Sequence, residues 1–251
     1  MLRYPARSVP TRAVLFDFGG TLFSYRSVQG AVFRPLVREA LARLGASPAD
    51  AAVGRAWRRA SAAAFRAYHE KPYYLHKELF QDTFRRFAGE LGARASEADL
   101  AWFHDAQRDL VVGHFELRPG CLETLAALRR AGLHTAIVSN IDEDYLVPMV
   151  ERAGLAAYLD AWTSSEAAGS CKPHPAIFEH ALARAGVAAL EAVFVGDSPE
   201  HDVAGARRVG MRAILVRDGE IENPGAGAGE AGTPDHVIED LREIPGFLGL
   251  G

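Results

Sequence analysis

Short apolar runs recur along the chain, and each ends at a polar residue or a glycine. The first is Ala13-Val14-Leu15-Phe16, which Asp17 follows directly. An unbroken apolar run of this length is typical of a strand buried on both faces of a parallel sheet. Gly19, Gly20 and Thr21 come next, and glycine allows a sharp turn close to a ligand. Taken alone, this segment is equally compatible with an ordinary turn after a strand.

The pattern then changes to the spacing of helices. From Val28 to about Gly113, apolar residues recur every three or four positions, as on one face of a helix. Ser47 and Pro48 predict the N-cap and first residue of the second helix. The predicted helices are one around 33–44, one from Pro48 to about Tyr68, one over 75–91 and one over 96–112. So long a helical stretch exceeds a crossover connection and predicts an inserted helical domain.

Strands and helices alternate in the second half of the chain. The predicted strands cover 134–138, 158–163, 192–195 and 213–216, with an edge strand at 236–238. The predicted helices cover 121–131, 145–153, 175–185 and 202–209. Together with the first strand, this alternation predicts an α/β fold with a doubly wound, Rossmann-like parallel sheet.

The predicted organisation has three parts. Residues 1–12 form an N-terminal leader, residues 13–26 and 114–251 form the Rossmann-like core, and residues 27–113 form the helical domain inserted into it. Within the core, the stretch from Gly219 to Thr233 is rich in Gly, Ala, Glu and Pro and lacks periodicity, which predicts a flexible loop.

Composition narrows the class of protein. The chain of 251 residues is 49% hydrophobic and 24% charged, which is typical of a soluble globular protein. A net charge of -4 gives no indication of nucleic acid or an acidic membrane as a partner. The two cysteines lack C-x-x-C spacing, and the first residues lack the apolar region of a signal peptide. We therefore expect a cytoplasmic protein.

Polar residues follow three of the predicted strands. Asp17 follows the first, Ser139 and Asn140 follow the strand ending at Val138, and Asp197 follows Val195-Gly196. Parallel strands bring their carboxyl ends to one edge of the sheet, so these side chains should converge. Asp202 and Lys172 lie near the starts of helices and can join them, and only three lysines occur in the chain. Carboxylates with a lysine and a hydroxyl suit Mg²⁺ and a bound phosphate, although each residue alone is compatible with a purely structural role.

These segments together resemble the haloacid dehalogenase-like (HAD) hydrolase superfamily. Asp17-Phe18-Gly19-Gly20-Thr21 is similar to its motif I, and Val138-Ser139-Asn140 to motif II. Lys172 in Cys171-Lys172-Pro173 is similar to motif III, and the segment from Gly196 to Asp202 to motif IV. The motifs occur in family order over residues 17–202, and the helical insertion resembles the C1 cap that closes over the site and selects the substrate.

The resemblance implies a role for each matching residue. Asp17 is the nucleophile, which forms an aspartyl-phosphate, and Lys172 steadies it and the transferring group. The implied phosphate ligands are Gly20, Thr21, Ser139, Asn140 and Lys172. The implied ligands of Mg²⁺ are Asp17, the backbone carbonyl of Gly19, Asp197 and Asp202. The expected activity is Mg²⁺-dependent hydrolysis of a small phosphorylated metabolite.

Gly19 departs from the pattern of the family phosphatases. They carry at this position a second Asp that protonates the leaving oxygen and later activates water. Phosphonatases and 2-haloacid dehalogenases of the superfamily also lack that Asp, so both chemistries remain alternatives, as does a weakly active or non-catalytic binding protein. A phosphatase without the Asp needs a good leaving group or a substitute acid, for which His174, His201 and the cap histidines are candidates.

The Lys71–Lys77 segment interrupts the predicted helices of the cap. Loops on rigid scaffolds often determine specificity, so this segment is our candidate for substrate recognition. Its candidate residues are Lys71, Tyr73, Tyr74, His76 and Lys77. A solvated loop is the structural alternative. The expected partner is a small anionic substrate, with no nucleic acid and no membrane, and the expected state is a monomer or homodimer.

Overall fold

The computed structural model describes residues 9–28, 33–217 and 232–250. Its strands are β1 (Ala13–Phe16), β2 (Phe23–Ser24), β3 (Glu116–Leu117), β4 (His134–Ser139), β5 (Ala161–Ser164), β6 (Ala192–Gly196), β7 (Arg212–Val216) and β8 (His236–Ile238). Six of them form a sheet in the order β5-β4-β1-β6-β7-β8, and every neighbouring pair is parallel. The predicted Rossmann-like α/β sheet is therefore confirmed.

The helices fall into an inserted group and a group around the sheet. Between β2 and β3 lie α1 (Phe33–Arg43), α2 (Asp50–His69), α3 (His76–Glu90) and α4 (Glu97–His114). After β3 come α5 (Cys121–Arg130), α6 (Glu143–Arg152), α7 (Ser165–Ala168), α8 (Pro175–Ala185), α9 (Gly205–Arg208) and α10 (Ile244–Phe247). Among the helices in the described ranges, none is long and apolar enough to cross a membrane.

The central strand β1 is covered on both faces, which explains its uninterrupted apolar sequence. Val14 and Phe16 face a core that includes residues of α5 and α6. Ala13 and Leu15 face a second core on the opposite side, built with α8 and α9. All four side chains are fully buried. Helices on both faces and a sequence without alternation are the two signs of a doubly wound parallel sheet.

The inserted helices have a hydrophobic core of their own. Phe84 stacks on Phe103 with ring centroids 4.3 Å apart, and Trp57 packs edge-on against Phe87 at 5.3 Å. The antiparallel pair β2–β3 lies where the chain leaves the sheet and returns to it. These helices fall within the predicted cap, whose limits at residues 27 and 113 stay a prediction.

Two predicted helix starts are wrong. The second helix begins at Asp50 rather than at Pro48, because Ala49 keeps an extended backbone and occupies the N-cap position. The helix expected to start at Asp202 begins earlier, as a π-helical turn over Pro199–Ala204 that leads into α9. Ser198 caps this turn by accepting a hydrogen bond from the backbone N–H of His201 at 3.1 Å.

Most other boundaries differ from the predictions by one or two residues. The main exception is the strand predicted from Tyr158, which begins at Ala161 because Leu155–Ala157 forms a 3-10 turn that ends at Tyr158. The edge strand at His236–Ile238 is confirmed. Most of the predicted leader (residues 1–8) and of the predicted loop (residues 218–231) lies outside the described residues.

Candidate active site

Asp17 lies directly after β1, at the carboxyl edge of the sheet. Its backbone N–H donates to the carbonyl of Val195 at 2.8 Å, which continues the ladder with β6. Its Oδ1 accepts two short hydrogen bonds, 2.8 Å from Ser139 Oγ and 2.6 Å from Lys172 Nζ. Its Oδ2 accepts a longer one, 3.5 Å from Thr21 Oγ1. The carboxylate is thus buried and held from three sides.

Lys172 bridges two carboxylates of the site. Its ammonium lies 2.6 Å from Asp17 Oδ1 and 2.7 Å from Asp202 Oδ1, and its side chain is buried. Burial alone would lower the pKa of Lys172, but the two carboxylates outweigh burial and raise it. The ammonium therefore stays charged, as a group that organises anions must.

Asn140 holds the backbone of Lys172. Its Oδ1 accepts from the Lys172 N–H at 2.6 Å, and its Nδ2 donates to the Lys172 carbonyl at 2.9 Å. The amide thereby links the end of β4 to the loop before α8. This contact supports a positioning role for Asn140, and its expected contact with phosphate stays a prediction.

Three carboxylates meet at this edge of the sheet. Oxygens of Asp17, Asp197 and Asp202 lie within 4.8 Å of one another. Burial and the neighbouring carboxylates hold the pKa of Asp197 above its usual range. Burial also raises the pKa of Asp202, against the effect of Lys172. One lysine does not balance two buried carboxylates and a half-buried one, so the donor set fits a hard divalent cation.

Gly20 permits the close approach of Asp197 to this turn. Its φ of +85° lies in the left-handed region, and a Cβ at this position would lie 2.7 Å from Asp197 Cγ. Arg118, next to β3, holds the turn by donating to the Gly20 carbonyl from Nε at 3.0 Å and from Nη2 at 2.6 Å.

Sequence analysis missed Tyr25. Its hydroxyl lies against Gly19, where a Cβ would overlap the hydroxyl oxygen and lie 2.9 Å from the ring carbon Cζ. Gly19 itself has no positive φ, so the backbone there suits any residue, and the three atoms nearest to that Cβ all belong to Tyr25. Burial of the hydroxyl raises the pKa of Tyr25, and the charges of Asp17 and Asp197 raise it further. No motif in the sequence links positions 19 and 25.

The segment predicted to recognise substrate divides into exposed and inward-facing residues. Lys71 is exposed, with its ammonium 3.7 Å from the centroid of the Tyr68 ring, and Lys77 is exposed as well. Tyr73 is 38% exposed, whereas Tyr74 is buried and stacks on His76 at 5.9 Å. Within this segment, the charges of Asp17 and Lys172 both influence the pKa of His76.

Two further histidines lie where the inserted helices face the core. The ring of His69, at the end of α2, packs edge-on against His201 with centroids 4.6 Å apart. Burial, with a smaller contribution from His69, lowers the pKa of His76 to about 4 and that of His201 to about 4. Both rings are therefore neutral at pH 7. His174 instead caps α8, where it accepts from the Ala176 N–H at 3.5 Å.

Asp142 joins the core to the inserted helices. It follows β4, and its two carboxylate oxygens accept from the backbone N–H groups of His76 and Lys77, each at 2.8 Å. These are the first residues of α3, so a core carboxylate caps a helix of the inserted group. Nearby, the Cys171 N–H donates to the Pro72 carbonyl at 2.8 Å. The arrangement holds the 71–77 segment over the carboxyl edge of the sheet.

A parallel sheet with a buried carboxylate, a lysine and an acidic cluster at its carboxyl edge defines a Rossmann-like enzyme with a carboxylate centre. Residues 11–210 match the haloacid dehalogenase-like hydrolase family. A phosphoserine phosphatase of Thermus thermophilus is 34% identical over 242 residues, which is 93% of this chain and 90% of the relative. The chain therefore belongs to the haloacid dehalogenase-like hydrolases.

Solved structures agree on the fold. The magnesium-bound protein YfnB of Bacillus subtilis is 19% identical and superposes with a TM-score of 0.74, over 96% of this chain and 99% of that one. The L-2-haloacid dehalogenase of Xanthobacter autotrophicus is 25% identical, with a TM-score of 0.68 over 95% of this chain and 98% of that one. The same fold thus carries more than one hydrolytic chemistry.

Proposed function

We propose that the protein is a Mg²⁺-dependent phosphohydrolase that transfers the phosphoryl group of a small phosphorylated metabolite to Asp17. The observation that carries this proposal is the pair of donors on one oxygen of Asp17. Ser139 and Lys172 together hold Oδ1, which fixes the plane of the carboxylate and orients Oδ2 for attack. The phosphatase relative that covers nine-tenths of the chain points to the same class of substrate.

The chemistry follows from this arrangement. Oδ2 of Asp17 attacks phosphorus, the bond from phosphorus to the leaving oxygen breaks, and an aspartyl-phosphate forms. Water then attacks that phosphorus, which releases inorganic phosphate and restores the carboxylate. Lys172 stays in contact with Asp17 throughout and stabilises the charge that develops on the phosphoryl oxygens. Thr21 and Ser139 supply hydroxyls at the same centre, and Gly20 and Asn140 complete the proposed phosphate pocket.

The proposed ligands of Mg²⁺ are Asp17, the Gly19 carbonyl, Asp197 and Asp202. The mutual approach of the three carboxylates supports this assignment. Bound there, Mg²⁺ would neutralise charge on the phosphoryl oxygens. The Ser198 N–H donates to Asp202 Oδ2 at 2.9 Å, and Lys172 contacts Oδ1, so hydrogen bonds to both oxygens orient Asp202.

The two alternative chemistries receive less support. A phosphonatase needs a cap lysine at the reacting carbon, but Lys71 and Lys77 are exposed and Lys71 lies over Tyr68. A dehalogenase has no use for a metal, whereas three carboxylates cluster here. The match to the haloacid dehalogenase-like hydrolase family favours an enzyme over a binding protein without turnover. We place the enzyme in the cytoplasm, with a small anionic substrate and no nucleic-acid partner, as a monomer or homodimer.

Replacing the nucleophile tests the proposal. We expect Asp17→Asn to lower Mg²⁺-dependent hydrolysis of p-nitrophenyl phosphate by at least about 10³-fold, because the amide oxygen is a poor nucleophile. Circular dichroism and thermal melting check that the variant is folded. In the wild-type enzyme, mass spectrometry of an acid-quenched reaction should find phosphate on the peptide that contains Asp17.

Two results would contradict the proposal. One is full activity of Asp17→Asn, and the other is turnover that persists in EDTA. Release of chloride from a 2-haloacid without metal would establish the dehalogenase alternative instead.

A further inference from the structure

We propose that the Tyr25 hydroxyl donates the proton to the leaving oxygen, in place of the side chain that Gly19 lacks. This inference rests on the proposed function and adds a catalytic residue to it. Tyr25 begins the 3-10 turn that follows β2, outside every motif that the sequence analysis identified.

The hydroxyl of Tyr25 occupies the volume beside Gly19. Although Tyr25 is 43% exposed as a whole, its hydroxyl points inward and takes the place that a Cβ on Gly19 would fill. Gly19 stands two residues after Asp17 in the turn that leaves β1. We therefore place the leaving oxygen of the substrate within reach of a donor at this point.

The hydroxyl is held in place by the packing of its ring. The Tyr25 ring packs edge-on against Phe23 at 4.9 Å, and Phe23 in turn contacts Phe18 at 4.9 Å and Phe115 at 5.6 Å. These three phenylalanines are buried. The carbonyl of Phe23 also accepts from the Gly20 N–H at 2.9 Å, so the turn and the tyrosine share one support. A proton donor fixed by packing needs little reorganisation during the reaction.

Lys172 and His76, which also lie near Asp17, are less suited to donate the proton. Lys172 is engaged by two carboxylates. The His76 ring is neutral at pH 7 and donates a proton efficiently only as the imidazolium, which is scarce there. A phenol hydroxyl carries its proton at pH 7 and can pass it to an alkoxide, which is the stronger base.

The proton balance closes over the two steps. As the bond from phosphorus to the leaving oxygen breaks, the Tyr25 proton passes to that oxygen and an alcohol departs. The tyrosinate then accepts a proton from the water that attacks the aspartyl-phosphate. Inorganic phosphate leaves, and Tyr25 and Asp17 return to their starting states. A phenolate is a strong base, which suits the second step.

The test uses two substrates of similar size with different leaving groups, benzyl phosphate and p-nitrophenyl phosphate. Tyr25→Phe keeps the ring and removes only the hydroxyl. We expect it to lower kcat/KM for benzyl phosphate by about 10²-fold, because an alkoxide needs protonation. We expect the value for p-nitrophenyl phosphate to change by less than about 3-fold, because nitrophenolate leaves without a proton.

The matched control is Tyr158→Phe, a half-buried tyrosine outside the site and outside the 71–77 segment, which should leave both values unchanged. Equal losses on the two substrates would mean that Tyr25 only shapes the site, and no loss on either would mean that it is a bystander. Either result overturns the inference while leaving the proposed function intact. Absence of Mg²⁺-dependent hydrolysis of both esters by the wild-type enzyme would overturn the proposed function itself.

Discussion

At the residue scale, Gly19 and Tyr25 share one volume beside Asp17. A side chain at position 19 and the tyrosine hydroxyl exclude each other, because the first side-chain carbon would overlap the hydroxyl oxygen. This overlap limits what the replacement of Gly19 by aspartate can achieve. The sequence alone predicts that Gly19→Asp raises the turnover of alkyl phosphates if no other group supplies the proton. The structure adds that the new side chain has no room while Tyr25 is present.

We therefore predict that Gly19→Asp alone lowers the melting temperature and does not raise the turnover of benzyl phosphate. Overpacking of a filled site costs about 1–3 kcal/mol, which corresponds to a few degrees in a protein of this size. The double variant Gly19→Asp/Tyr25→Ala should recover the melting temperature. It should also hydrolyse benzyl phosphate at least about 10-fold faster than Tyr25→Ala, because the new carboxyl group replaces the lost donor.

Gly89→Asp is the control for introducing an aspartate at a glycine. Gly89 lies in α3, and a Cβ there would meet nothing within 4 Å. Its melting temperature should stay within about 2 degrees of the wild-type value. A Gly19→Asp variant that is equally stable and more active than the wild type would show that Tyr25 moves aside freely.

At the scale of elements, a loop of the core contacts helix α3 of the inserted group through Asp142. Its carboxylate is 3% exposed and accepts from the first two backbone N–H groups of α3. Burial raises the pKa of Asp142, against the effect of these two hydrogen bonds. The two hydrogen bonds from α3 therefore stabilise the ionised form of the Asp142 carboxylate against the effect of burial.

We predict that Asp142→Ala loosens the cap over the site. It leaves two N–H groups of α3 without their acceptor, and loss of a helix cap costs about 1 kcal/mol. Amide hydrogen exchange over residues 71–77 should accelerate, and KM for p-nitrophenyl phosphate should rise several-fold with a smaller change in kcat.

Ser96→Ala is the matched control. Ser96 caps α4 within the inserted group by accepting from the Asp99 N–H at 3.2 Å. Its loss should lower the melting temperature to a similar degree without changing KM. If both variants raise KM alike, the effect comes from general loosening of the helices rather than from the contact between core and cap.

At the scale of the whole molecule, stability should depend on pH through His76. Its pKa in the folded protein is lowered to about 4 by burial first, and by the charges of His69 and Lys172. In the unfolded chain the group titrates near 6.5, so between these two values the unfolded state binds more protons. The free energy of unfolding therefore falls as pH falls from about 6.5 to about 4, and is insensitive to this group above 6.5.

We predict that His76→Gln reduces this loss of stability by about 2 kcal/mol between pH 6.5 and 4, since a shift of one pKa unit corresponds to about 1.4 kcal/mol. Urea unfolding at several pH values measures it. The exposed His114, changed to Gln in the same way, should leave the slope unchanged. Identical slopes in the wild type and His76→Gln would remove His76 as the acid-sensitive group.

The sequence alone determined the sheet and its polar edge. Residues 13–16 form a buried strand because they are apolar on both faces, and Asp17, Ser139 and Asp197 come together because parallel strands align their carboxyl ends. It also identified Lys172, whose ammonium lies between Asp17 and Asp202. These inferences depend on local pattern and on topology, which neighbouring residues largely dictate.

Only the tertiary structure decided what surrounds that edge. The direction of the Tyr25 ring depends on its packing against Phe23, which in turn packs against Phe115 because β2 and β3 bring distant parts of the chain together. The cap on α3 comes from Asp142, 66 residues away from His76. No local pattern encodes contacts of this kind, since they form only when separate elements pack. The sequence thus determined the carboxylate centre, and the fold decided which side chain stands beside Gly19.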